Sequence, residues 1–402
     1  MRKPLLLVTI LLIGCIGHFV RPSIAASESE SVPTLRGNMA RTGENPGPTP
    51  SSDKYKCDWI RGNPWTSDDL EIVALSSGLL FTNEVVTLDG DEVTFQNLSD
   101  QRIYVDIGSA TVVDEIAYAA GYYMPSRRDN RGGAYFAAYD LASYTVIWAA
   151  HSEQAGPPFP APVIAEDIVY FATTGGEVFA YSRSDGTLQW QRNVGGSRSV
   201  SEGYTVGVAS FGDDGLFIGG SDNRLYALDS VSGAVKWSFE LNDNAYAIPM
   251  YLDGMVFISG YRVLYALESS TGRVLWQQDI SKPWHSSTAT YGSNVYVVGG
   301  DTLHAFSVEG GIPLWTAKAV DSILEDEAES PRSSPIVVGS ELFVGGRDRA
   351  IYVFSTSSGD FLERIQVSTA DDEQEDEIGS MLIAGRTAYV EVGTSICALV
   401  EA

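Results

Sequence analysis

The chain is short of four things, and each shortage removes a class of function. It has three cysteines and four histidines in 402 residues. They form no Cys-x-x-Cys-His haem site, no His-Glu-x-x-His zinc site and no metal-spaced Cys/His cluster. Gly-x-Ser-x-Gly elbows and phosphate loops are missing too. Cations are scarce: 26 Lys plus Arg stand against 52 Asp plus Glu, a net charge of −26. That balance argues against a nucleic-acid binder of the usual basic kind and against a polybasic membrane-surface binder. Beyond the first 25 residues no apolar run approaches the ~18 residues that a membrane-spanning helix needs.

What is abundant points to a packed β protein. The chain is 44% apolar and 11% aromatic, enough to bury a large core. Its 40 Gly and 17 Pro are scattered rather than clustered, which marks many turns. Twenty Tyr and eight Trp favour strands. A length of 402 residues fits two or three domains or one large repeat fold.

The N-terminus reads as an export signal. Arg2 and Lys3 precede an apolar run from Leu5 to Ile16, and Ser23 and Ala25 are small residues ahead of a cleavage site at Ala26. A second exit is open, because Leu12-Ile13-Gly14-Cys15 resembles a bacterial lipobox whose Cys15 would be lipidated. Cleavage after Ala25 removes Arg2, Lys3 and Arg21 and takes the charge from −26 to −29. Residues 26–53 are rich in Ser, Pro and Gly and read as a flexible tether, leaving 54–402 as the folded unit.

A repeat decides the fold class. Val178-Phe179-Ala180-Tyr181 runs through Gly186 to Trp190, and Leu225-Tyr226-Ala227-Leu228 through Gly233 to Trp237. Leu264-Tyr265-Ala266-Leu267 runs through Gly272 to Trp276, and Leu303-His304-Ala305-Phe306 through Gly311 to Trp315. Ile351-Tyr352-Val353-Phe354 runs through Gly359 to Glu363, and Tyr135 to Trp148 is a looser copy with Tyr144 in the Gly place. The last-named residues are spaced by 42, 47, 39, 39 and 48 when taken in chain order from Trp148. Each copy reads as a strand, a tight turn whose Gly takes positive φ, and a second strand whose Trp fills the gap to a neighbouring copy. Upstream strand pairs at 161–172, 248–259, 288–300 and 334–345 complete four strands per copy.

The expectation is therefore an all-β propeller of eight four-stranded antiparallel blades, or seven if the weak copy at Val86 to Phe95 is no blade. The last copy, Met381 to Leu399, lacks its fourth strand. Tyr55 to Ile60, with Trp59, supplies it and closes the ring. If the hairpin pairs Tyr226 with Trp237, Cys57 lies two residues off direct register with Cys397 on the same face. Such a diagonal is ~7–8 Å between Cα atoms, marginal for a disulfide.

These repeats resemble the quinoprotein-type, pyrroloquinoline-quinone-like propeller family. Leu35 to Gly43 is similar to the segment that opens many of its exported bacterial members. Two branches of the family differ in what they imply. The dehydrogenase branch implies a quinone, a calcium site and, in its alcohol-oxidising members, a vicinal Cys-Cys pair, which this chain lacks. The non-catalytic branch, typified by the propeller lipoprotein of the outer-membrane barrel-assembly machinery, implies a scaffold that needs no cofactor. Length and export signal fit that second branch. The resemblance thus implies a monomeric, exported, non-enzymatic protein of the bacterial envelope that docks proteins, lipid-anchored or free. A quinone-dependent oxidoreductase, or a binder of small ligands or Ca²⁺ in the channel, is the alternative.

Candidate contact residues are few. Asp371, Asp372, Glu373, Glu375, Asp376 and Glu377 make one acidic run, and Glu325, Asp326 and Glu327 a second. Both follow the outer strand of one blade and precede the inner strand of the next, so they share one face. Neither has the ligand order of a calcium loop. Arg127, Arg128 and Arg131, beside Tyr122, Tyr123 and Met124, form a basic insertion suited to protein contact. His304 takes the Tyr position of its repeat, His151 follows Trp148 in a loop, and Trp284-His285 opens a blade near the channel. Trp148, Trp190, Trp237, Trp276 and Trp315 belong to the repeat core.

Overall fold

The computed structural model describes residues 44–45, 55–62, 74–76, 79–81, 85–87, 104–124, 133–143, 145–153, 161–173, 175–194, 210–213, 215–220, 222–242, 247–260, 262–280, 286–318, 333–346, 348–367, 378–384, 387–392 and 395–401. Every regular element among them is a strand. The strands fall into eight sheets, numbered I to VIII from the first innermost strand. Sheet I spans 74–87, sheet II 104–152, sheet III 163–193, sheet IV 210–240, sheet V 250–279, sheet VI 289–318 and sheet VII 336–366. Sheet VIII combines 378–401 with the distant strand Tyr55–Gly62.

Within sheets II to VII, four consecutive antiparallel strands run outward in chain order, the meander of a propeller blade. The strand pairs read upstream of each hairpin form, for example as Val163–Ala165 with Ile168–Ala172 and as Ala289–Tyr291 with Asn294–Gly299. Sheet VIII closes as the sequence implies: Tyr55–Gly62 is its outer strand, antiparallel to Ser395–Glu401. Among the described residues sheet I has three short strands. The turn of the weak copy, at Asp89 to Asp91, lies outside the described residues.

One expected pairing is wrong. The hairpins place alanine opposite each tryptophan: Ala180 faces Trp190, Ala227 faces Trp237, Ala266 faces Trp276 and Ala305 faces Trp315. Tyr226 faces Ser238 instead. The cause is a bulge just after each of these alanines, which inserts one residue into the outer strand and shifts the register. A small residue beside the ring leaves the indole free to lean toward the next blade. In sheet VIII the shift falls elsewhere, between Trp59 and Arg61, and Trp59 does face Cys397.

The core lies between sheets, not within any one of them. Buried residues of sheet II (Tyr118, Phe136) join those of sheet III (Phe171, Phe179), and this pattern continues from sheet III through to sheet VIII. Each blade therefore buries its two faces only by stacking on its neighbours. This nearest-neighbour logic requires many copies for stability.

Candidate functional site: the seams, the faces and the channel

Five seams share one device. The Trp of each blade lies flat against the turn glycine of the next: Trp148 on Gly186, Trp190 on Gly233, Trp237 on Gly272, Trp276 on Gly311 and Trp315 on Gly359. A Cβ at any of these glycines would sit 2.4–2.6 Å from ring carbon, and all five have φ between +62° and +74°. Glycine is thus required twice over, by conformation and by space. Each indole Nε1 also donates to a backbone carbonyl of the same turn: Arg183, Ser230, Ser269 and Val308 at 2.8–2.9 Å, and Thr356 at 3.2 Å. In two seams a tyrosine donates to that same oxygen, Tyr170 to Ser230 at 3.1 Å and Tyr296 to Thr356 at 3.0 Å. Burial pushes the Tyr170 phenol up to about 12, so it remains a donor throughout the physiological range.

A second device runs where the inner strands begin. Ile248 N–H donates to Ser287 Oγ at 2.8 Å, and Ser287 N–H donates to Ser334 Oγ at 3.0 Å. Three successive blades are thus linked near the axis by serines buried or nearly so. Thr111 Oγ1 makes a comparable link to the Pro162 carbonyl at 2.6 Å. The rim contacts thus tie sheets II to VII in series, and the axis links tie sheets II to III and V to VII.

The innermost strands of sheets III to VIII read VIA, SFG, MYL, ATY, IVV and IGSMLIA, with no Asp, Glu, His or Cys. Among the described residues, no three or more His, Cys, Asp or Glu gather as a metal site would need. The innermost strand of sheet II, Tyr104–Val113, does carry one carboxylate residue, Asp106. One segment does pair at the inner edge: Glu44–Asn45 runs parallel to Ile336–Val338.

The contact residues read from the sequence distribute unevenly. Cys15, the insertion Arg127, Arg128 and Arg131, both acidic runs (325–327 and 371–377) and Trp284-His285 all lie outside the described residues. The strands that flank them still fix an end of the molecule. The insertion joins the second and third strands of sheet II, and the acidic runs join an outer strand to the next inner strand. In an antiparallel meander those two kinds of connection open on the same face. The backbone of sheet VIII sets Cys57 opposite Leu399 and Cys397 opposite Trp59, a diagonal placement.

The two described histidines differ. His151 is exposed and lies within the strand Thr145–Ser152, opposite Tyr135, rather than in a loop, because the outer strand of sheet II is eight residues long. His304 stacks on Phe306 with centroids 6.0 Å apart, and its Nε2 is buried with no hydrogen-bond partner among the described residues. Burial lowers its pKa, with Asp301 pulling the other way. Sheet VI is where the link between second and third strands shortens, to Gly300-Asp301. In two other repeats the tyrosine at this position donates to an aspartate four residues earlier, Tyr226 to Asp222 and Tyr352 to Asp348 at 2.7 Å. That contrast was open to sequence alignment of the repeats. The serine links near the axis were not, because each joins residues about 40 positions apart with no local signature.

Comparison with known proteins places this architecture. A family model described as "Outer membrane protein assembly factor BamB" matches residues 65–206, 197–260 and 256–399. The outer membrane protein assembly factor BamB of Yersinia pestis is 24% identical over 134 residues, 31% of this chain and 34% of that protein. The matched stretch therefore spans about a third of that relative's length. The crystal structure of BamB from Moraxella catarrhalis superposes with a TM-score of 0.57 at 16% identity, covering 94% of this chain and all of that one. A quinohemoprotein alcohol dehydrogenase from Comamonas testosteroni superposes with a TM-score of 0.64 at 11% identity, covering 94% of this chain and 82% of that one. Likeness at these identities shows the shared propeller fold.

Proposed function

The chain belongs to the family of outer membrane protein assembly factor BamB, and from that membership we propose that it is an exported, non-enzymatic scaffold of the bacterial envelope that docks proteins during outer-membrane protein assembly. The observation that carries this reading is the family match, which runs through nearly the whole propeller from residue 65 to 399. The latched seams support it, since a docking platform needs fixed faces more than a moving site.

Docking falls to the face of the long connections. There the basic insertion at Arg127, Arg128 and Arg131 interrupts an otherwise acidic molecule, and Arg beside Tyr is the pairing enriched at interface hot spots. The likeness to the alcohol dehydrogenase favours a second reading, a quinone-dependent oxidoreductase using the channel. One preparation separates the two. The mature protein is isolated from envelope membranes under native conditions, its intact mass and absorbance are recorded, and co-isolated proteins are quantified. A scaffold brings outer-membrane assembly components with it, and Arg127→Ala/Arg128→Ala/Arg131→Ala releases them about tenfold. A stoichiometric quinone retained on the propeller, with no co-isolated assembly protein, overturns the scaffold reading.

A further inference from the structure

We infer that the N-terminal segment threads the central channel in one direction, so that the chain preceding Glu44 emerges on the face of the long connections. The pairing sets the direction. Glu44 lies opposite Val337 and Asn45 opposite Val338, in parallel. Strand Ile336–Val338 starts from the long connection after sheet VI and ends at the tight turn before Glu341–Gly345. Glu44 is therefore nearer the long-connection face and Asn45 nearer the tight-turn face.

The closing strand gives an independent check. Tyr55 lies opposite Glu401, at the end of the strand Ser395–Glu401. That strand is third in its sheet and so ends on the tight-turn face. Asn45 and Tyr55 thus both stand on that face, one at the axis and one at the rim. Ten peptide steps separate them and reach about 33–36 Å. Moving outward from the added strand crosses four strand spacings, roughly 19 Å, and passing from sheet VII to the neighbouring sheet VIII adds about 10 Å. The link closes with slack. An antiparallel Glu44–Asn45 would release the chain on the opposite face and add the full thickness of the disc to the crossing.

The inner edge also gains from the arrangement. An innermost strand presents unpaired N–H and C=O groups to the channel, and Glu44–Asn45 covers those of sheet VII. Two paired residues make a shallow hold that an extended strand of another protein could displace. Whatever secures the N-terminus then faces the side bearing the acidic runs and the arginine insertion, and the tight-turn face looks away from it. The inference stands apart from the proposed function, since it concerns only how the chain leaves its own propeller.

Photo-crosslinking in the mature full-length chain tests it. Benzoylphenylalanine is placed singly at Ala40, Asn45 and Ser51, folding is checked by melting, and adducts are mapped by mass spectrometry. Position 45 is expected to mark peptides containing 336–338 or 289–291. Position 40 is expected to mark the connections 281–288 or 319–335, and position 51 the turns at 339–340 or 356–359. Position 45 marking only outer strands such as 313–318, or nothing within the chain, overturns the inference, as does an exchange of faces between positions 40 and 51. Deleting residues 26–46 gives a second readout: hydrogen exchange at 336–338 speeds up about tenfold while the outer strand 361–366 is unchanged. Unchanged exchange at 336–338 contradicts it.

Discussion

Seams II–III to VI–VII close on an indole ring, whereas the seam between sheets VII and VIII closes without one. At the position of the tryptophan, sheet VII has Glu363, opposite Val353. The contact there is aliphatic instead: Ile365, Val367, Ile378, Met381 and Val390 pack with Val338 and Phe343. Ile378 takes over the close approach, its Cγ2 standing 2.5 Å from where a Cβ of Gly345 would lie. Its N–H donates to the Gly346 carbonyl at 3.3 Å. The difference teaches what the tryptophan is for. It supplies a large apolar area and one directed hydrogen bond, which together fix the angle between identical copies. Sheet VIII is not an identical copy, since its outer strand comes from the other end of the chain. There, non-directional aliphatic packing tolerates the irregular fit.

Breaking a latch should therefore cost far more than changing its counterpart at the irregular seam. Trp276→Ala removes a buried ring and the bond to Val308, and is expected to destabilise by about 3–5 kcal/mol in urea unfolding. Gly272→Ala keeps the ring but places a Cβ 2.6 Å from Trp237 at φ +72°. A left-handed penalty of about 1–2 kcal/mol and overpacking of about 1–3 kcal/mol add, unless the ring can shift. Ser287→Ala deprives the Ile248 N–H of its acceptor at the axis, with an expected loss of about 1–2 kcal/mol in the same assay. Glu363→Ala, at the unlatched seam, should change stability by less than about 1 kcal/mol. An equal cost for Trp276→Ala and Glu363→Ala would erase the distinction between the seams.

The smallest effect concerns pH. Burial lowers the His304 pKa in the folded chain, so folding favours the neutral imidazole. Its contribution is intact above the ordinary value near ~6.5 and is lost as pH falls below it toward the folded-state value. His304→Tyr restores the residue that neighbouring repeats carry and removes this titration. Thermal melts between pH 7.5 and 5 should show a steeper acid loss for the natural protein than for the variant. Parallel curves would mean that the imidazole makes no difference.

Much of this was legible in the sequence because the repeat writes each device several times. The Gly-to-Trp spacing marks both partners of the latch, although the partner glycine belongs to the next copy and not to the one in which it is read. The closing strand was legible from Trp59 and from the strand-like run Tyr55 to Ile60, which pairs with Ser395–Glu401. The bulge was not, since nothing in Ala227-Leu228 distinguishes a regular pair from a shifted one. Nor was the channel strand at Glu44–Asn45, whose two residues have no period to detect and whose partner lies nearly 300 positions away. A docking surface is harder still to read, because exposed arginines and acids owe their placement to solvation as readily as to a partner.

The most direct test of the scaffold assignment lies in the host cell. The chain is depleted, and the outer-membrane levels of β-barrel proteins are measured by quantitative mass spectrometry, with the natural protein and Trp276→Ala each supplied back. The expected result is a fall on depletion, restored by the natural protein and poorly by the variant whose platform is loosened. Unchanged barrel-protein levels on depletion would contradict a role in their assembly.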